Sequence, residues 1–427
     1  MPKLNMNGGV PLVGTVATSG AKNSALPLLA ATLMIEGETI LTNVPNLMDV
    51  STMVRMLKSL GLWAEYRLDN SVKIVNSGRV KHVAPYDLVT AMRASFFVAG
   101  PLLARTGLAK VPMPGGCSIG SRPIDIHLKG FKQLGATYTI EHGFVDLRAK
   151  NLKGNRVYLD FPSVGATENM MMAAALAEGE SWIENAAQEP EIIDLANLIN
   201  KAGGKVSGQG TSIIRVEGVT KLNGVTHRVI PDRVEAGTLM IAGAITHGDL
   251  TVTDLDVVDL EPLMVKMREA GVKIDVLDPT SVHISVPNGL HAVDVETLPF
   301  PGFPTDMQAQ MMALLTLSKG TSVIKESIFE NRFMHAPELM RMGADIKLDS
   351  HFAFVTGVES LSGAEVKITD LRAGAALILA GLAAEGTTSV YGLKHLKRGY
   401  DDLPGKLRSV GAIIGPPSES EISAYDS

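Results

Sequence analysis

The sequence predicts an α/β protein (α+β in some schemes) of two domains, each assembled from three βαβαβ-type repeats. The first observation is a glycine that closes the same phrase six times, in Leu60-Gly61, Leu134-Gly135, Ala202-Gly203, Ala270-Gly271, Met342-Gly343 and Val410-Gly411. The intervals are 74, 68, 68, 72 and 68 residues, and such regularity marks an internal repeat. The second is that each phrase alternates strand-like segments of period two with helical segments rich in Ala, Leu and Met. The third is length: 427 residues exceed what one core of ordinary size accommodates, and six repeats divide economically into two sets of three.

The elements follow in order. Residues 11–18 read as a strand before the first helix, just as a strand precedes Arg233 before the fourth; periodicity alone does not assign it to either domain. Repeat three shows the pattern most fully. Residues 166–178 are apolar nearly all round, as a buried helix requires, and Gly179 closes that helix. Residues 181–185 alternate as a half-buried strand, and 191–201 form an amphipathic helix after Pro190, its stripe being Ile192, Leu195, Ala196 and Ile199. The divide falls within 221–231, where Gly224, Val225, Thr226 and His227 read as a crossing between domains. Residues 415–427, rich in Pro, Ser and Glu, read as a disordered tail.

Composition excludes several classes. The net charge of −6 gives no general attraction to nucleic acid or anionic lipid, so an anionic ligand must be met by local basic groups. The longest apolar runs, 25–35 and 373–384, are too short to span a bilayer, and residues 1–10 lack a signal-peptide pattern. One cysteine allows no internal disulfide and suits a reducing, cytoplasmic compartment. No nucleotide-binding or metal motif is present, and the ten histidines are scattered.

Chemistry is signalled where one repeat departs from the others. From the turn glycine to the closing glycine, five repeats span 23 to 25 residues, but Gly107 to Gly135 spans 28. The excess falls in Pro114-Gly-Gly-Cys117-Ser-Ile-Gly-Ser-Arg122-Pro123, which holds the single thiol. A thiol on a glycine-rich loop beside a guanidinium is a candidate reactive group, because positive charge favours the thiolate; the alternative is a small buried hydrophobe. The starts of the first helices carry the second signal: Lys22, Arg93, Arg233 and Arg372 stand where the helix dipole disfavours a cation, so each calls for an anionic ligand or a carboxylate partner. Repeat symmetry brings such starts toward one cleft. Asp232 is explained by helix capping, and Arg233 either pairs with Asp232 or Glu235 or meets a ligand.

Ser19-Gly-Ala-Lys22-Asn23, the Cys117 loop, Phe161-Pro-Ser163-Val164-Gly-Ala-Thr, Phe303-Pro-Thr-Asp306-Met-Gln, Glu330-Asn-Arg332-Phe-Met-His, Asp370-Leu-Arg372-Ala-Gly and Lys397-Arg398-Gly-Tyr stand in this order. Together they resemble the enolpyruvyl transferases, in particular those of peptidoglycan synthesis that act on UDP-N-acetylglucosamine. The resemblance implies a two-domain inside-out α/β barrel, with residues 22–229 in one domain and 1–21 plus 230–414 in the other. It implies transfer of the enolpyruvyl group of phosphoenolpyruvate to the 3′-hydroxyl of the sugar nucleotide, without metal or cofactor. On that basis Lys22, Arg122 and Arg398 hold phosphoenolpyruvate, Cys117 is the general acid and site of a covalent adduct, and Asp306 is the base. Asn23, Arg93, Arg122, Pro123, Ile124, Asp125, Ile126, Ser163, Val164, Asp306 and Ile328 bind the sugar nucleotide. Arg332, Asp370 and Arg372 line the cleft, and Glu189 either assists or caps a helix. The sister synthases that use shikimate 3-phosphate lack the Gly-Gly-Cys loop. Nucleic acid and membrane insertion are not expected, and the oligomeric state stays open.

Overall fold

The computed structural model describes residues 3–113 and 124–415; the Cys117 loop and most of the tail lie outside these. Residues 3–19 and 231–415 form one compact unit, here the terminal unit, and 20–113 with 124–230 form the middle unit. Each has its own apolar core and, among the described residues, three sheets.

Repeat three displays the grammar. Arg156–Tyr158 runs parallel to Glu180–Glu184, Ile213–Glu217 pairs antiparallel on the other side, and Lys205–Ser207 closes the edge. The helix Val164–Ala174 connects the two parallel strands, and Pro190–Lys201 connects the inner strand to the edge. From Ala166 onward every residue of the first helix is buried, which is where an all-round apolar helix is stable. It ends at Ala174 rather than at 178, because Ala175 caps it and the chain turns toward Gly179, whose φ is 90°. The stripe of the second helix, Ile192, Leu195, Ala196 and Ile199, is fully buried, and Pro190 occupies the first turn, where no amide hydrogen is needed.

The six closing glycines share one conformation. Gly61, Gly135, Gly203, Gly271, Gly343 and Gly411 have φ between 91° and 106°, a region in which a Cβ is strained. In the terminal unit the first helices Arg233–Ile245, Gln308–Leu315 and Leu371–Ala383 pack on one another, with the sheets outside them. In the middle unit Ala99–Thr106 packs on Val164–Ala174, while Lys22–Ala31 packs on Met48–Ser59, Pro190–Lys201 and the turn Arg93–Val98.

Two strand exchanges settle what periodicity left open. Val13–Ala17 runs parallel to Asp249–Thr253 and so opens repeat four, while Lys3–Asn7 pairs with Thr387–Tyr391 and closes repeat six. Repeat one takes its opening strand from the return segment: Leu222–Asn223 and Thr226–Arg228 both run parallel to Ile35–Thr42. The stretch read from sequence as a bare crossing is therefore two short strands, which satisfy backbone groups that Ile35–Thr42 would otherwise leave unpaired.

The chain passes between the units at 19–20 and at 230–231. On the middle side Ala21 N donates to Ile230 O at 2.8 Å, and the buried carboxylate of Asp194 accepts from Ser24 Oγ at 2.5 Å, Ile230 N at 3.3 Å and His227 Nε2 at 2.7 Å. On the terminal side Asp232 N donates to Ser19 O at 2.9 Å, and buried Glu235 accepts from Ser19 N at 2.8 Å and Lys406 Nζ at 2.5 Å.

Candidate active site

In the terminal unit the sequence Pro304-Thr305-Asp306 turns through a short 3-10 helix, Thr305–Met307, into Gln308–Leu315. This places Asp306 at the mouth of a buried helix. Arg332 Nη2 donates to Asp306 Oδ1 at 2.6 Å and Arg372 Nη2 donates to Oδ2 at 2.9 Å. The side chains of Arg332 and Arg372 are 6% and 3% exposed, whereas that of Asp306 keeps 26%. Burial alone would raise the Asp306 carboxyl, but Arg372 and then Arg332 outweigh it and hold the group well below the usual carboxylate range. Burial disfavours the Arg372 cation too, and Asp306 more than restores it.

The surroundings fix these groups. The Arg372 guanidinium lies over the Tyr400 ring, 5.4 Å from its centroid, and that of Arg332 lies 5.2 Å over Phe329. Gln310 Nε2 donates to Tyr400 Oη at 3.1 Å and to the Asp306 carbonyl at 3.0 Å. Asp370, expected to line the cleft, caps Leu371–Ala383 by accepting from the amides of Arg372 and Ala373 at 2.8 and 3.1 Å. His335 is buried, which lowers its imidazole to about 4, Asp370 opposing and Arg332 adding to the shift. Arg398 ends the turn Leu396–Arg398, half-buried, two residues before Tyr400. The Ile328 amide donates to Glu326 Oε1 at 2.9 Å.

In the middle unit Lys22 begins Lys22–Ala31 and is largely buried, its Nζ 3.0 Å from Asp49 Oδ2. The carboxylate partner that a lysine at a helix start demands is thus supplied by the helix Met48–Ser59. Asn23 follows on the same turn, half-buried. Ser163 caps Val164–Ala174, its Oγ accepting from Ala166 N at 3.4 Å. Asp125 and Ile126 open Asp125–Gln133 behind a buried Ile124, and Arg93 opens the turn Arg93–Val98. Phe96 meets His127 edge-on at 5.2 Å, and His127 Nδ1 lies 3.1 Å from Asn169 Nδ2. A Cβ on Gly165 would come within 3.2 Å of Phe97 and 3.4 Å of His127. These contacts gather three of the expected helix starts at one end of the unit. Cys117, Arg122 and Pro123 lie outside the described residues.

Sequence reasoning missed Asp49, His127 and Glu326, each of which meets a partner from a distant part of the chain, Lys22, Asn169 and the hydroxyls of Thr297 and Thr305 respectively. Asp232 caps its helix as read, through Val234 N and Glu235 N. Arg233 lies 5.4 Å over the Phe300 ring, and Glu235 faces Ser19 and Lys406. Glu189 occupies the N-cap position of Pro190–Lys201 but makes no side-chain capping bond. Among the described residues no group of three His, Cys, Asp or Glu side chains is placed to hold a metal ion, and no helix is long and apolar enough to cross a membrane.

The sequence pattern of the EPSP synthase (3-phosphoshikimate 1-carboxyvinyltransferase) family matches residues 6–407. The UDP-N-acetylglucosamine 1-carboxyvinyltransferase 1 of Caldanaerobacter subterraneus subsp. tengcongensis is 56% identical over 405 residues, covering 95% of this chain and 97% of that protein. The UDP-N-acetylglucosamine 1-carboxyvinyltransferase 2 of Carboxydothermus hydrogenoformans is 53% identical, covering 97% and 99%. Among solved structures, the enolpyruvyl transferase NikO from Streptomyces tendae superimposes with a TM-score of 0.87 at 26% identity, covering 97% of this chain and 98% of that one. An EPSP synthase from Acinetobacter baumannii shares the fold at a TM-score of 0.76 and 18% identity, covering 97% and 99%. Matched by that family's pattern over residues 6–407 and 53% to 56% identical to these two relatives over nearly their whole length, the chain belongs to the EPSP synthase family of enolpyruvyl transferases.

Proposed function

We infer that the chain transfers the enolpyruvyl group of phosphoenolpyruvate to the 3′-hydroxyl of UDP-N-acetylglucosamine, releasing phosphate and supplying a precursor of peptidoglycan. The observation that carries this is identity of 51% to 56% with transferases of that name over nearly the whole chain. The synthase fold neighbour shares only 18%.

The chemistry asks for a base, an acid and fixed positive charge. Asp306 is ionised throughout the neutral range, which suits it to take the 3′-hydroxyl proton as that oxygen attacks C2 of phosphoenolpyruvate. Its two arginines keep it from acquiring a proton in advance. Cys117 supplies the proton to C3, and its sulfur can itself attack C2 to give a covalent adduct. Loss of the C3 proton with departure of phosphate then regenerates the double bond in the product. Lys22, Arg122 and Arg398 balance the phosphate and carboxylate of the donor. Asn23, Arg93, Ile124, Asp125, Ile126, Ser163, Val164 and Ile328 bind the sugar nucleotide, with Arg332, Asp370 and Arg372 in support. A single cysteine in 427 residues fits a cytoplasmic enzyme.

The test is phosphate release from phosphoenolpyruvate with each acceptor in turn. Release with UDP-N-acetylglucosamine and none with shikimate 3-phosphate is the expected result, and the reverse overturns the assignment.

A further inference from the structure

Glu326 is 1% exposed, and its carboxylate is met by four neutral donors. Oε1 accepts from Thr297 Oγ1 at 2.8 Å, from Ile328 N at 2.9 Å and from Phe329 N at 3.1 Å. Oε2 accepts from Thr305 Oγ1 at 2.9 Å. A carboxyl placed so deeply is costly unless its lone pairs are used, and here they are used for two tasks. One oxygen ties down the chain that carries Ile328 and Phe329, the residue whose ring backs Arg332. The other orients the Thr305 hydroxyl, which points its hydrogen at Glu326 and therefore turns a lone pair toward Arg332 Nη1, at 2.8 Å. The second arm of that guanidinium holds Asp306.

We propose that Glu326 is a positioning residue for the transfer reaction, acting through the Thr305 hydroxyl and Arg332 to fix the carboxylate of Asp306 while it anchors the backbone at Ile328. The assignment rests on the reading of Asp306 as base. Glu326 itself touches no reacting atom. If the Thr305 hydroxyl is removed, Arg332 loses the partner of its Nη1 and its grip on Asp306 loosens. The base then becomes easier to protonate, and the acidic limb of the pH–rate profile moves upward. A residue that served folding alone would scale the whole profile and leave its limb in place.

The experiment compares Thr305→Val, which keeps shape without the hydroxyl, with Thr305→Ser, which keeps the hydroxyl, and with Glu326→Gln. Phosphate release is followed across pH for each protein. Thr305→Val should lower kcat on the order of tenfold and raise the acidic limb of kcat/KM by about one pH unit, with KM for phosphoenolpyruvate changed less than about twofold. Thr305→Ser should stay within about threefold of the parent in kcat. Glu326→Gln should repeat the limb shift and also raise KM for UDP-N-acetylglucosamine; should it not fold, the two Thr305 variants decide. An active parent with Thr305→Val and Thr305→Ser alike in kcat and limb overturns the assignment alone. A parent inactive with UDP-N-acetylglucosamine overturns the functional reading and the assignment with it.

Discussion

A carboxylate between two arginines is a weak base, and under the proposed mechanism that weakness is an advantage. Arg372 and Arg332 hold Asp306 ionised, so a base at this position is not protonated in advance and can take its proton as the hydroxyl oxygen attacks. The proposed acid has the opposite requirement, because it must carry its proton at neutral pH. A thiol can meet it, whereas an alcohol is too weak an acid. Cys117→Asp should therefore retain measurable phosphate release, while Cys117→Ser and Cys117→Ala should each lose at least about a hundredfold in kcat. Titration of nucleotide-sugar binding by calorimetry should show affinity within about threefold of the parent in all three. Unaltered turnover in Cys117→Ala would remove the thiol from the mechanism. At this scale the sequence disclosed the cations, since Lys22 and Arg372 are anomalous at helix starts. The partner of Arg372, Asp306, stood in a quoted motif, but that of Lys22 was hidden. Asp49 and Glu326 are brought to their partners Lys22 and Thr305 only by tertiary approach.

Elements repeat because six turns need the same backbone. The closing glycines were legible for that reason, but two kinds of glycine are mixed in the phrase. Gly135 has φ of 91° with nothing near its missing Cβ, so Gly135→Ala should cost only the conformational penalty, about 1–2 kcal/mol. Gly248 is not left-handed; a Cβ there would overlap the backbone of Leu12, which leads into the strand that opens repeat four. Gly248→Ala should lower the thermal midpoint distinctly more than Gly135→Ala, as scanning calorimetry on both would show. Equal shifts would mean that the Leu12 segment yields freely. Helix ends were less legible than helix existence. Val164–Ala174 stops four residues short of the sequence reading, since small apolar residues continue past the point where the backbone turns.

For the molecule as a whole, buried carboxylates link stability to pH. Glu235 is raised from 4.5 to about 7, chiefly by burial, with Lys406 opposing and Asp232 adding to the rise. The native state thus keeps a proton that the unfolded chain releases above about pH 4.5. The resulting contribution to stability is complete below that pH and is lost as pH rises toward 7. Glu235→Gln has no such proton, so the unfolding free energy of the parent relative to the variant should decline between pH 5 and 7.5 by on the order of a few kcal/mol. Urea midpoints measured across that range test it, and parallel curves would refute it. The division into repeats was readable over this whole length, whereas the placement of residues 3–17 came from the family resemblance and not from periodicity. Their partners, Thr387–Tyr391 and Asp249–Thr253, lie hundreds of residues away, beyond the reach of any local pattern.

That placement governs the order of pairing on the ribosome. Lys3–Asn7 is made long before its partner and cannot pair until Thr387–Tyr391 has been made, a wait on the order of tens of seconds at ordinary elongation rates. The middle unit is complete once residue 230 has left the tunnel, so it can fold while the leading residues of its own chain remain unpaired. An early-made strand therefore completes a sheet whose other members are among the last to be made. A nascent chain arrested before residue 387 should hold a folded middle unit and an unpaired Lys3–Asn7 segment, a template that chaperones or neighbouring chains can engage.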